Sequence, residues 1–136
     1  MTASIGRPSS ERGLAPTWRR PPAFVLLLSA FTGAMVWAFS PLVVGRAEPW
    51  DADGPYYVLA LFAGGMLAGA AAPRPRWAHY LGAWLGQLGY QLVFLPIGSL
   101  IVLGAALLLV YSLLFALGAA FAVRLRGWIA RGPDSR

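Results

Sequence analysis

Gln87 and Gln91, with Tyr90 between them, are the most chemically capable side chains inside any long apolar stretch of this sequence. Residues four apart lie on one face of a helix, so the two amides would point the same way. An amide exposed to hydrocarbon costs free energy, so that face should turn toward other helices or a cavity. Two chemistries follow. The amides can bridge helices, or together with the Tyr90 phenol they can hydrogen-bond a small polar solute or a quinone-like headgroup.

A second cluster lies in EPWDADGPYY, residues 48–57, where Glu48, Asp51 and Asp53 could hold a divalent cation or form an acidic docking patch. DADG resembles the opening of a calcium loop, but the further acidic position and the distant bidentate glutamate of such loops are missing. A simpler reading gives each residue a local task. Pro49, Gly54 and Pro55 make turns, Asp53 caps the following helix, and Trp50, Tyr56 and Tyr57 anchor an interface.

His79 is the single histidine, and there is no cysteine. The only acids expected on its side are Glu11 and Asp134, so the sequence gives it no partners for a metal site. Asp51 and Asp53 are expected on the opposite side, which leaves no serine, histidine and acid set for hydrolysis. No catalytic residue, cofactor site or metal ligand is therefore assigned.

The elements that must position these residues are read from composition. Apolar residues make up 58% of the 136 and charged ones 12%, a balance that points to a bilayer as solvent. All the basic residues are arginine, and they give a net charge of +6. They gather at the borders of apolar runs, where they set orientation and do not indicate nucleic acid.

Four runs are long enough to be helical spans, at about 23–44, 56–72, 77–95 and 97–123. RRPP opens the first, and Pro41 is expected to kink or shorten it. PRPR closes the second, and LPIGS is the only punctuation between the third and fourth. An unbroken helix through that point would be about 70 Å long, more than twice the hydrocarbon core.

Arg7, Arg12, Arg19 and Arg20 precede the first run, Arg74 and Arg76 lie between the second and third, and Arg124, Arg126, Arg131 and Arg136 follow the fourth. Only Arg46 falls elsewhere, which predicts both ends and the middle loop on the cytoplasmic side. Trp18, Trp77 and Trp128 sit at the expected inner border. The first run is longer than a signal-peptide core and lacks a clean cleavage pattern, so it is expected to remain as an anchor.

The expected fold is thus all-α: a polytopic membrane protein of four transmembrane helices in an up-down bundle, both termini cytoplasmic. Its parts are a disordered leader (1–22), a transmembrane domain (23–126) and a tail (127–136), without an internal repeat.

Close approach of helices in lipid depends on small residues. Gly65 and Gly69 on the second run, flanked by Ala60, Gly64 and Ala68, and Gly82, Gly86 and Gly89 on the third are expected to meet as a tight antiparallel pair. Gly104 and Gly118 are too far apart in the fourth run to suggest a similar face. Ser29, Thr32 and Ser112 are expected to bond back to their own helices.

No Asp, Glu, Lys or Arg falls inside the four runs, which argues against ion- or proton-coupled transport. Small multidrug exporters share the span count, but their embedded glutamate has no counterpart here. The expected role is a non-catalytic accessory or assembly subunit of a complex in a bacterial-type cytoplasmic membrane. Its expected partners are the lipid bilayer and another membrane protein or further copies of itself. An uncoupled oligomeric channel or facilitator is the alternative, and an intramembrane enzyme acting on a lipid or quinone is a third.

Overall fold

A computed structural model of the protein describes residues 20–131. They form α1 (Pro22–Val44), a 3-10 turn (Pro49–Asp51), α2 (Tyr56–Ala71), α3 (Arg76–Phe94) and α4 (Ile101–Ile129), with no strand among the described residues. Trp18, most of the expected leader and residues 132–136 lie outside them.

Local chemistry accounts for the helix ends. Pro22 takes the first position of α1, where a missing N–H removes no helical bond. Pro41 leaves a carbonyl one turn back without its amide, and α1 ends soon after at Gly45, whose φ of 70° only glycine adopts cheaply. Leu95 precedes a proline and is extended at φ −111°, ψ 152°, so α3 stops at Phe94. α4 starts four residues later than expected and continues past residue 123 through Arg124, Arg126 and Trp128. Arginine is a good helix former, and cations near a C-terminus complement its exposed carbonyls.

α1 with the turn that follows it, and α4, are long and apolar enough to cross a membrane. α2 is apolar but has 16 residues, and α3 is interrupted by His79, Gln87 and Gln91.

Neighbours in sequence run antiparallel, as Thr32 facing Gly64 and Trp37 facing Tyr57 show for α1 and α2. The tightest packing, however, joins α1 to α3 and α2 to α4, each as a parallel pair. The glycine faces of α2 and α3 do not meet. Gly65 and Gly69 lie against the backbone of Phe115 and Ala119 in α4, while Gly82 and Gly86 lie against Leu26 and Ala30 in α1.

Linker length explains why the short α2–α3 connection did not force adjacency. Extended chain from Ala71 to Arg76 reaches up to about 17 Å, and diagonal partners in a square of helices about 9 Å apart are only about 13 Å from each other. The choice falls to matching small surfaces. Ala30 on α1 receives Gly86 of α3 while Gly33 receives Ala83, and Ala119 on α4 receives Gly69 of α2 while Gly118 lies against Phe62. Gly118, which the sequence offered no reason to single out, meets the Phe62 carbonyl.

Both parallel pairs use one register. Gly33 faces Ala83 and Gly65 faces Phe115, each fifty residues apart, while Ala30 with Gly86 and Phe62 with Gly118 are fifty-six apart. The fold thus repeats a crossing that no sequence repeat announces, because what recurs is backbone separation and not side-chain identity.

Candidate functional site

Gln87 sits at the centre of the bundle, fully buried on α3. Its Oε1 accepts from the Tyr57 hydroxyl of α2 and, at 3.4 Å, from Trp37 Nε1 of α1. Its Nε2 donates to Ala83 O of its own helix at 3.1 Å and to Ser112 Oγ of α4 at 3.1 Å. Ser112 donates its own hydroxyl hydrogen bond to Leu108 O at 2.7 Å. A primary amide has two donor hydrogens and an oxygen with two lone pairs, so every position is used, and all four helices meet at one side chain.

The helix periodicity of α3 puts His79, Gly82, Ala83, Gly86, Gln87 and Gln91 on one buried face, three and four residues apart. Gln91 shares that face one turn beyond Gln87, beside Gly104 of α4 and the Trp50 ring. Its Oε1 is buried without a hydrogen-bond partner. Tyr90 is half-buried, with its ring 6.2 Å from Trp37 and 4.7 Å from Phe94. The three residues proposed as one polar wall therefore divide: Gln87 is saturated, Gln91 has an open acceptor, and Tyr90 packs among aromatic rings.

Aromatic rings pack beside Gln87 and toward the 3-10 turn. Trp50 meets Trp37 edge to face at 4.8 Å, and Tyr57 packs on Tyr111 at 4.6 Å. Tyr57, expected at an interface, is buried because its hydroxyl finds Gln87 and its ring finds Tyr111. Tyr56 reaches back to donate to Val36 O at 2.8 Å.

Trp50 joins the acidic loop to this aromatic cluster. Trp50 Nε1 donates to Glu48 Oε2 at 2.7 Å, while Asp51 and Asp53 are exposed. Among the described residues no three His, Asp or Glu side chains come together as a metal-holding group. Asp53 does not cap α2. Gly54, at φ 144°, and Pro55 intervene, and the helix opens on Pro55 without a side-chain cap.

At the opposite end His79 is buried. Its Nε2 lies 2.8 Å from Ala72 O, and its Nδ1 lies 2.9 Å from Ser29 Oγ. A carbonyl can only accept, so Nε2 carries the proton and Nδ1 accepts from Ser29. Thr32 and Ser112 bond back to Leu28 O and Leu108 O as expected, but Ser29 is turned to the histidine because Nδ1 offers it an acceptor across the α1–α3 crossing. Arg126 Nη1 donates to Ala70 O at 3.1 Å, so the last carbonyls of α2 are met by side chains of α3 and α4.

Among these partners, sequence reasoning leaves out Trp37 and gives Tyr57, Ser112 and Ser29 only local tasks. Their only signal was polarity in otherwise apolar helices, and this does not say which polar groups pair. Compared with protein families, curated proteins and solved structures, the chain matches none.

Proposed function

We propose that the chain is a small integral membrane protein with all four helices spanning a bacterial-type cytoplasmic membrane and both ends inside. Its role on this reading is non-catalytic, as an accessory or assembly subunit of a larger membrane complex.

The membrane part is supported by an inverted distribution on α3, where His79, Gln87 and Gln91 are buried while Trp77, Leu81, Leu85, Leu92 and Val93 are exposed. Leucine, valine and phenylalanine are likewise exposed along α1, α2 and α4. Water would penalise that surface, whereas lipid is indifferent to it. Orientation is supported by charge: every described arginine except Arg46 belongs to the end holding the α2–α3 connection, and Glu48, Asp51 and Asp53 belong to the other.

The saturation of Gln87 carries the functional part. The most chemically capable buried group spends all its hydrogen bonds holding the four helices together and keeps none for a ligand. One observation favours the facilitator reading: Gln91 Oε1 remains an open acceptor inside the bundle. Native mass spectrometry of the protein, extracted gently at natural expression level, separates the two. A reproducible heteromeric partner supports the subunit reading. A homo-oligomer without partners, whose solute flux is abolished by Gln91→Leu, overturns it.

A further inference from the structure

Two open clefts at the arginine-bearing end share Arg20 and Arg74. The larger, about 750 Å³, lies between the C-terminal ends of α2 and α4 and also holds Arg126. The second, about 670 Å³, is lined by Arg20, Pro22, Arg74, Pro75, Arg76 and Trp77. Among the described residues none of these guanidiniums is paired with a carboxylate, since Glu48, Asp51 and Asp53 are at the far end.

The two clefts differ in what they offer an anion. In the larger, Arg126 is already engaged by Ala70 O, and two helix C-termini contribute the negative ends of their dipoles. In the second, three exposed arginines converge from two segments, and the adjoining helix ends are the N-termini of α1 and α3, where partial charge is positive. Arg20 is braced with its guanidinium 5.3 Å from the Phe24 ring centre. Exposed Trp77, an amphipathic ring that suits the headgroup layer, forms part of the wall.

We propose that the cleft formed by Arg20, Arg74, Arg76 and Trp77 is a binding site for the headgroup of an anionic phospholipid. Arginine binds the phosphodiester with paired N–H donors. A zwitterionic lipid carries the same phosphodiester, but its ammonium is repelled by whichever arginines the phosphate leaves free. The cleft therefore selects net negative headgroups. This inference rests on the membrane reading, with this end at the headgroup level of the inner leaflet.

The test is lipid titration of the detergent-purified full chain by native mass spectrometry, using phosphatidylglycerol and phosphatidylcholine of matched acyl chains. Each basic residue near a charged surface contributes roughly a fivefold change in binding, so phosphatidylglycerol should be retained at least about tenfold more strongly. Arg20→Gln combined with Arg76→Gln should remove that preference. Arg124→Gln combined with Arg131→Gln takes the same charge from the same end outside the cleft and should leave it in place.

Equal loss in the two double variants would mean diffuse attraction and overturn the site, as would equal retention of both lipids by the wild type. Displacement of the lipid by millimolar inorganic phosphate would assign the cleft to a soluble anion and overturn the lipid. Circular dichroism of each variant distinguishes lost binding from lost fold, with Arg74→Gln alone as the milder substitute if a double variant unfolds. Resistance of the wild type to carbonate extraction tests the membrane reading separately, whatever the lipid series shows.

Discussion

The Tyr57 hydroxyl of α2 donates to the Gln87 amide oxygen of α3, although these two helices are diagonal partners with little other contact. Together with the bonds to Trp37 and Ser112, this lets one side chain join α3 to all three other helices, including the diagonal one whose backbone does not approach it. Interhelical hydrogen bonds in membrane hosts contribute about 0.6 kcal/mol on average and up to about 1.7. Three are lost in Gln87→Leu, which predicts a destabilisation of about 2 to 5 kcal/mol. Gln91→Leu removes an oxygen that has no partner and should cost less than about 1 kcal/mol or stabilise. Unfolding in mixed micelles, followed by circular dichroism, measures the difference. Equal costs would contradict the network.

The two parallel crossings predict a sharp split among glycines. A Cβ at Gly65 would run into the Phe115 carbonyl, and one at Gly86 into the Ala30 carbonyl. Backbone cannot move aside as a side-chain tip can, so the helices would have to separate. Gly65→Ala and Gly86→Ala should each cost about 1 to 3 kcal/mol, the usual range for overpacking. Gly89 and Gly127 have open space, and alanine there should stabilise by up to about 1 kcal/mol through helix propensity. The same unfolding assay on the four single variants tests the split.

Helix positions were legible in the sequence because proline, glycine and arginine punctuate apolar runs by local rules. Pro22, Gly45, PRPR and LPIGS each mark an observed boundary within a few residues. Partner choice was not legible. The glycines of α2 and α3 announced close packing, but a small residue says only that something comes near, and Ala30 and Ala119, the backbones that do, look like ordinary alanines. The polar face of α3 was legible from the spacing of Gln87 and Gln91. Their different fates depend on Ser112, Trp37 and Tyr57 arriving from three other helices, and no local pattern encodes that.

Orientation is a prediction that charge alone makes. The connection between α1 and α2 carries Glu48, Asp51 and Asp53 against Arg46, and the one between α2 and α3 carries Arg74 and Arg76. Single cysteines are informative because the chain has none of its own. Ala52→Cys should react with a membrane-impermeant maleimide in intact cells with a permeable outer membrane. Arg74→Cys and Arg131→Cys should react only after the inner membrane is opened. The reverse pattern would invert the topology.

The buried histidine gives a prediction that depends on proton placement. With Ala72 O on one side and Ser29 on the other, only the Nε2–H tautomer satisfies both contacts. Nitrogen NMR of histidine-labelled protein should report protonated Nε2 and unprotonated Nδ1, and the reverse tautomer would refute the pairing. The two substitutions should then couple. Ser29→Ala removes one donor and should cost about 1 kcal/mol. His79→Leu removes both bonds and leaves the Ala72 carbonyl and the Ser29 hydroxyl without a partner, for about 2 to 3 kcal/mol. Once His79 is leucine, Ser29→Ala removes a hydroxyl that no longer has its acceptor, so the double variant should be less destabilised than the sum of the singles. Strict additivity in that cycle would show that the two side chains do not interact across the α1–α3 crossing.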